Sequence, residues 1–223
     1  MDKLEDERIG LAAKAIPWLI VALIILLVIV VRVRLSDVPL ERDEDEYAYM
    51  GQLILHGVPP YNDVYNMKLP GTYIMYALMM SQFGQSIRGI HFGLIIVNSA
   101  TILLIFLLGK KIISETAALT ASATYAILSL DSSVAGFAAH ATHFVVLPAL
   151  GGVLLLLGAL RTNKLHAYWW SGTLFGLAFI MKQPGLFFFL FGFSYIIYAY
   201  VSERPAYSFK NFYRLFPYLR SEG

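Results

Sequence analysis

Ile16-Pro-Trp-Leu-Ile-Val-Ala-Leu-Ile-Ile-Leu-Leu-Val-Ile-Val-Val31 is an unbroken apolar run set between Lys14 and Arg32. At 1.5 Å per residue, a helix of this length covers most of a hydrocarbon core roughly 30 Å thick, and the flanking cations can snorkel to the headgroups. The head of the run mixes acids and bases (Asp2, Lys3, Glu5, Asp6, Glu7, Arg8). Arg32 and Arg34 follow it, where a signal peptide would need small residues for cleavage. The run therefore reads as a retained membrane helix. The rest of the chain agrees, with 58% hydrophobic and 14% charged residues, against about 25% charged in soluble domains. The expected fold class is an all-α polytopic membrane protein.

Working outward, further apolar runs place spans at about 89–109, 115–131, 144–160, 167–182 and 185–201, six in all with 16–31. Lys110-Lys111, Asp131, Arg161-Thr-Asn-Lys164 and Lys182-Gln-Pro-Gly185 separate them. Trp169 and Trp170 suit the membrane interface. The stretch 132–143 is small and polar and reads as a loop or re-entrant turn. A basic tail, 204–223, closes the chain. Between the first two spans lies a polar region, 32–88, with two short segments expected to be interfacial helices at 43–56 and 71–83. In the first of these Tyr47, Met50 and Ile54 share a side, and Gly57 suits the position just past its end.

With six spans and the N-terminus inside, Arg32, Arg34, Arg42, Lys68, Arg88 and Lys182 fall outside and the other eleven of the 17 Lys and Arg residues inside. That bias predicts both termini cytoplasmic, in a plasma (inner) membrane. It also puts the chemistry-bearing residues on the outer face. A net charge of +2 gives no reason to expect nucleic acid, and the absence of cysteine excludes disulfides and thiol chemistry. There is no glycine-rich phosphate loop and no HExxH pattern.

The candidate site begins with four consecutive acids, Asp43-Glu-Asp-Glu46, just beyond the first span. Like charges this close raise one another's pKa, so the cluster needs a reason. One reason is capping: Asp43 as N-cap and Glu46 three residues on would close a capping box. That leaves Glu44 and Asp45 unexplained. The other reason is catalysis by a carboxylate. Lys68, Lys182 and Arg88 lie on the same face and suit an anion such as a lipid phosphate. His140 and His143, three apart, would share one side of a helical turn, a spacing compatible with a metal pair but equally with polar loop residues. No metal ligand is assigned; a divalent metal is compatible and unsupported.

A membrane helix followed by Asp-Glu-x-x-Tyr-Ala (Asp43, Glu44, Tyr47, Ala48), Gly-x-x-Pro-Tyr (Gly57 to Tyr61), Lys-x-Pro-Gly-x-Tyr (Lys68 to Tyr73) and Phe83-Gly84 resembles the GT-C superfamily of membrane glycosyltransferases. The likeness is to protein O-mannosyltransferases and lipid A aminoarabinose transferases, and it runs over roughly 10–200. The tract ending Met181-Lys182-Gln-Pro-Gly185 looks like that family's glycine-rich helix ending in lysine. The resemblance implies a GT-C-like membrane domain, 1–203, that moves a sugar from a polyprenyl-phosphate donor to an acceptor, with inversion. It implies Asp43 as the catalytic carboxylate with Glu44 beside it, and Lys68 on the donor phosphate; Lys182 and Arg88 are further candidates there from their charge and face. Glu46, Tyr47, Tyr61, His140 and His143 are then candidate contacts to sugar or acceptor. Phosphate leaves without protonation, so a single carboxylate base suffices. Met67 stands where the aminoarabinose enzymes carry an acid, which weakens the case for a metal there. Members are longer than this chain, which is expected to correspond to a truncated N-terminal portion.

Two other classes compete. A lipid or sugar transporter would place ionisable residues within the spans, and the sequence shows only His91 and His166 there, near ends. A non-catalytic membrane subunit would need only the helices.

Overall fold

The computed structural model describes residues 2–62, 66–134 and 136–202. Every regular element among them is helical. The long helices are α1 (Asp2–Arg34), α4 (Ile87–Ile112), α6 (Ala141–Thr162) and α8 (Leu186–Ser202). Between them come α2 (Arg42–Leu55), α3 (Gly71–Phe83), α5 (Glu115–Leu128) and α7 (Leu165–Met181), with single 3₁₀ turns at Ser132–Val134 and Gln183–Gly185. The basic tail, 204–223, lies outside the described residues.

Four segments are long and apolar enough to cross a membrane: Lys14–Arg34, Ile87–Ile112, Ala141–Thr162 and Gln183–Ser202. The expected spans at 115–131 and 167–182 are shorter helices, of 14 and 17 residues. They reach about 21 and 25 Å, less than a core of roughly 30 Å. Even so, α5 is tied to its long neighbours at both ends. Lys110, at the end of α4, pairs with Glu115 at the start of α5, and Arg32, at the end of α1, bonds Ser129 just past the end of α5.

Local chemistry sets the helix ends. Ser86 and Ser114 cap α4 and α5, their hydroxyl oxygens accepting from Gly89 N at 3.1 Å and Ala117 N at 3.2 Å. Lys110 and Lys111 occupy the last turn of α4, where cations suit the macrodipole. Gly57, at φ 82°, ends α2 in the left-handed region expected of it.

α2 and α3 pack together on one end of the bundle, against α4, α6 and α7. Tyr47, Met50, Tyr73, Tyr76, Met80, Ile90, Leu94 and Phe144 form its core, each under 3% exposed. The Tyr76 ring meets those of Tyr47 and Phe144 edge-on, at 5.4 and 6.0 Å. Such pairs add about 0.5–1.5 kcal/mol each beyond burial. α3 is apolar nearly all round: one side packs on the bundle, while Ile74 and Leu78 face outward. Its first residue, Gly71, meets the main chain of α7, where an added Cβ would stand 2.6 Å from the Ile180 carbonyl oxygen. The Thr72 hydroxyl donates to Met181 O at 2.8 Å across the same contact.

Arg32 departs from expectation. Instead of snorkelling it turns inward and is 2% exposed. Its guanidinium donates to the carbonyls of Ser129, Gly136 (2.9 Å) and Phe137 (3.2 Å). The end of α5 leaves orphan carbonyls, and a planar fork of donors satisfies several at once.

Candidate active site

The tract expected as loop, 132–143, is a 3₁₀ turn, a short strap over 136–140, and the first turn of α6. The strap crosses above α2 and brings His140 to the acid cluster. His140 Nε2 lies 3.2 Å from Asp43 Oδ2, and Lys68 Nζ lies 3.4 Å from Asp43 Oδ1. Lys68 also pairs with Glu46 at 2.8 Å. Asn66 donates to the other oxygen of Glu46 at 2.7 Å, and the Tyr73 hydroxyl donates there at 3.3 Å. Lys68 Nζ sits 4.6 Å from the centre of the Tyr47 ring. The Tyr61 hydroxyl donates to Lys68 O at 2.6 Å, and its ring meets that of Tyr73. The result is a half-buried cluster of two carboxylates, one cation and one imidazole beside a tyrosine wall.

The capping expectation is corrected. Glu41, not Asp43, is the N-cap, its side chain accepting from Asp43 N at 3.0 Å. Glu44, not Glu46, closes the box, accepting from Glu41 N at 2.8 Å. The N-cap lies two residues earlier than expected, with Arg42 opening the helix, and both capping roles move with it. Asp43 and Glu46 are left free to face the site.

Glu44 therefore does not stand beside Asp43 as a second carboxylate toward substrate. It is 2% exposed and points into the protein. It accepts from Ala139 N at 2.5 Å and lies 3.8 Å from His91 Nε2. His91 is fixed in turn, its Nδ1 2.8 Å from Ser36 O.

The electrostatics follow from these neighbours. Burial pushes the Asp43 carboxyl up, but Lys68 and His140 outweigh it and hold the group below its ordinary 3.8. Burial pulls the Lys68 ammonium down, and Glu46, Tyr47 and Asp43 more than restore it. For Glu44 too, burial is outweighed, by the His91, Glu41 and Ala139 contacts, and the carboxyl is held below its ordinary value. Asp43 is thus a carboxylate at neutral pH, with 35% of its side chain exposed.

The other expected residues divide. Lys182 caps the end of α7, and the next residue, Gln183, donates from its side chain to Met67 O at 3.3 Å. Contacts at Gly71 and Thr72 thus bring the ends of the Lys68 and Lys182 tracts together. Arg88 stands apart, in a bidentate pair with Asp37 on the exposed surface. His143 also parts from His140: it is buried one turn into α6, 3.4 Å from the Tyr125 hydroxyl, which donates to Asn98 Oδ1 at 2.7 Å. The two histidines make no metal pair, and among the described residues no group of three or more His, Asp or Glu could hold a metal ion.

Sequence reasoning missed Asn66, Tyr73, Tyr76, His91 and the inward role of Arg32. Tyr73 stood within the Lys-x-Pro-Gly-x-Tyr tract and could have been read from it. Arg32 follows Val21, Ile25 and Val28 at helical spacing, but nothing marked that stripe as the buried one in a helix apolar all round.

No curated protein and no solved structure matches the chain. One family model does, over residues 68–219, about two thirds of the chain. It begins at Lys68 and takes in the Lys68 tract, His140 and Lys182; Asp43 and Glu46 precede it, so their place in the site rests on geometry. The helical membrane architecture, the paired lysine tracts and this match agree: the chain belongs to the dolichyl-phosphate-mannose-protein mannosyltransferase family, glycosyltransferases of the GT-C type.

Proposed function

We propose that the chain catalyses, on the outer face of a plasma (inner) membrane, transfer of a sugar from a polyprenyl-phosphate donor to a hydroxyl acceptor, with inversion. In this reading six helices cross, α5 and α7 included, and both termini are cytoplasmic. Asp43 takes the proton of the acceptor hydroxyl. The acceptor oxygen forms its bond to the anomeric carbon as the carbon–oxygen bond to phosphate breaks, and the electron pair leaves with the lipid phosphate. A single displacement of this kind inverts the centre. Lys68 and Lys182 offset the charge growing on the phosphate. Lys68 is paired with Glu46 and Asp43, so donor phosphate exchanges with a carboxylate for this cation. Tyr47, Tyr61 and Tyr73 offer ring faces and hydroxyls to the sugar.

The observation that carries the reading is Asp43 itself. Relieved of capping by Glu41, it lies between a cation and an imidazole, ionised and partly exposed. The test is sugar transfer in reconstituted membranes by Asp43→Asn. Asparagine keeps the shape and helix start but accepts no proton. Turnover should fall about 10²–10⁴-fold, the size of a general-base contribution, with donor binding retained. Undiminished transfer would remove Asp43 from the chemistry.

A further inference from the structure

Arg32 and Glu44 are each 2% exposed, at the membrane end of a chain otherwise poor in charge. Buried charges of this kind are costly and mark a specific task. Arg32 lies in the last turn of α1, Glu44 caps the start of α2, and neither belongs to the cluster of Asp43, Lys68 and His140. Both act on the same short segment. Arg32 holds the carbonyls of Gly136 at 2.9 Å and Phe137 at 3.2 Å, and anchors them to Ser129 at the end of α5. Its guanidinium carbon is 5.5 Å from the centre of the Phe137 ring. Glu44 takes the N–H of Ala139 at 2.5 Å. The carbonyl of the same residue takes the Tyr76 hydroxyl at 2.7 Å. The strap is therefore held through four backbone groups, on Gly136, Phe137 and Ala139, and the next residue is His140.

We propose that Arg32 and Glu44 are positioning residues for the transfer reaction: from opposite sides they fix the 136–140 strap and so set the His140 imidazole against Asp43. This rests on the reading of Asp43 as base. Glu44 and Asp43 are chain neighbours on α2, so the helical turn that holds the strap also presents the carboxylate its histidine meets. The arrangement ties three distant parts of the chain, the end of α1, the start of α2 and the start of α6, into one geometry. Lys68 bonds Asp43 and Glu46, but it and Lys182 are carried by the tracts that meet at the α3 and α7 contact, which the strap bonds do not hold. Disturbing the strap should thus lower turnover and leave donor KM alone. Three carbonyls are met by the planar fork of arginine, which a lysine ammonium cannot reproduce.

The natural chain has no cysteine, which allows a measurement independent of activity. Asp43→Cys with His140→Cys is treated in membranes with a short bifunctional thiol-reactive (bis-alkylating) crosslinker, alone and with Arg32→Lys, Glu44→Ala or Glu44→Gln. The exposed neighbour Arg34→Lys serves as control. Crosslinking should persist in the parent, in Arg34→Lys and in Glu44→Gln, which keeps an oxygen for Ala139 N–H. It should fall to background in Arg32→Lys and Glu44→Ala. In the cysteine-free chain these last two should lower kcat by about 10²-fold, the cost of a displacement near 1 Å, with donor KM unchanged and monodisperse elution in detergent. Restoration of kcat by Glu44→Gln separates positioning from general loss of fold. Unchanged crosslinking, or unchanged kcat, in both Arg32→Lys and Glu44→Ala overturns the proposal. Should Asp43→Asn transfer normally, the base reading fails and with it the catalytic half of this one. Crosslinking then decides the rest: its loss supports the bracing of the strap, its persistence refutes it.

Discussion

Gly71→Ala tests the contact that brings the two lysine tracts together. Gly71 opens α3 against the last turn of α7. A Cβ there would stand 2.6 Å from Ile180 O, 2.7 Å from Ile180 C and 2.9 Å from Met181 N. A carbon–oxygen contact normally needs about 3.3 Å. The shortfall is roughly 0.7 Å against main chain, which has no rotamer to change, so α3 and α7 must part by about that much. Overpacking of this kind costs about 1–3 kcal/mol. Loosening the Thr72 bond to Met181 O adds up to about 1 kcal/mol. Lys68 precedes this contact on one side and Lys182 follows it on the other, so donor binding should weaken as well. The assay pairs the thermal midpoint in detergent, read as loss of monodisperse protein, with binding of a polyprenyl-phosphate sugar. Gly172→Ala is the control, since a Cβ there meets no atom within 4 Å. It should be neutral, or more stable by up to about 1 kcal/mol from helix propensity. Equal midpoints for the two variants would show that α3 is not pressed on α7 and that the lysine tracts are not coupled through this contact.

Donor binding should be lost in the double variant Lys68→Ala/Lys182→Ala, and only partly kept in Lys68→Arg, whose fork differs in geometry from an ammonium; full binding in the double variant would refute the phosphate role. The acid limb of kcat/KM should lie below pH 3.8, because Asp43 titrates below that ordinary value. A depressed carboxyl lends stability that is present above its unfolded value and lost as pH falls through the folded one. Lys68→Met removes a cation that lowers Asp43, so the limb should move to higher pH; a limb that stays put would separate Asp43 from the rate. Cysteines at Asn62 and Lys164 should label from opposite sides of the membrane with an impermeant thiol reagent, and labelling from one side would overturn the six-crossing arrangement.

Much of this protein is a matter of local pattern. Apolar runs, the charges between them and the stops at Gly57, Asn163 and Pro184 suffice to locate the helices, because a bilayer requires each spanning backbone to satisfy its own hydrogen bonds. The tracts around Asp43, Lys68 and Lys182 are likewise legible, since their residue types and order carry the chemistry. Which carboxylate does what is not. Asp43, Glu44 and Glu46 look alike in the chain, and an N-cap two residues earlier moved the capping box to Glu41 and Glu44, leaving Asp43 and Glu46 for Lys68 and His140. The inward turn of Arg32 is similarly hidden, because in a helix apolar on every side periodicity cannot say which stripe meets protein and which meets lipid. Nor can spacing alone tell that His140 meets Asp43 while His143, three residues on, is buried against Tyr125. Those facts depend on a strap 95 residues from Glu44 along the chain, held by one hydrogen bond to its carboxylate. Sequence separation carries no record of such a meeting; only the tertiary fold, which sets the strap between the end of α1 and the start of α2, decides it.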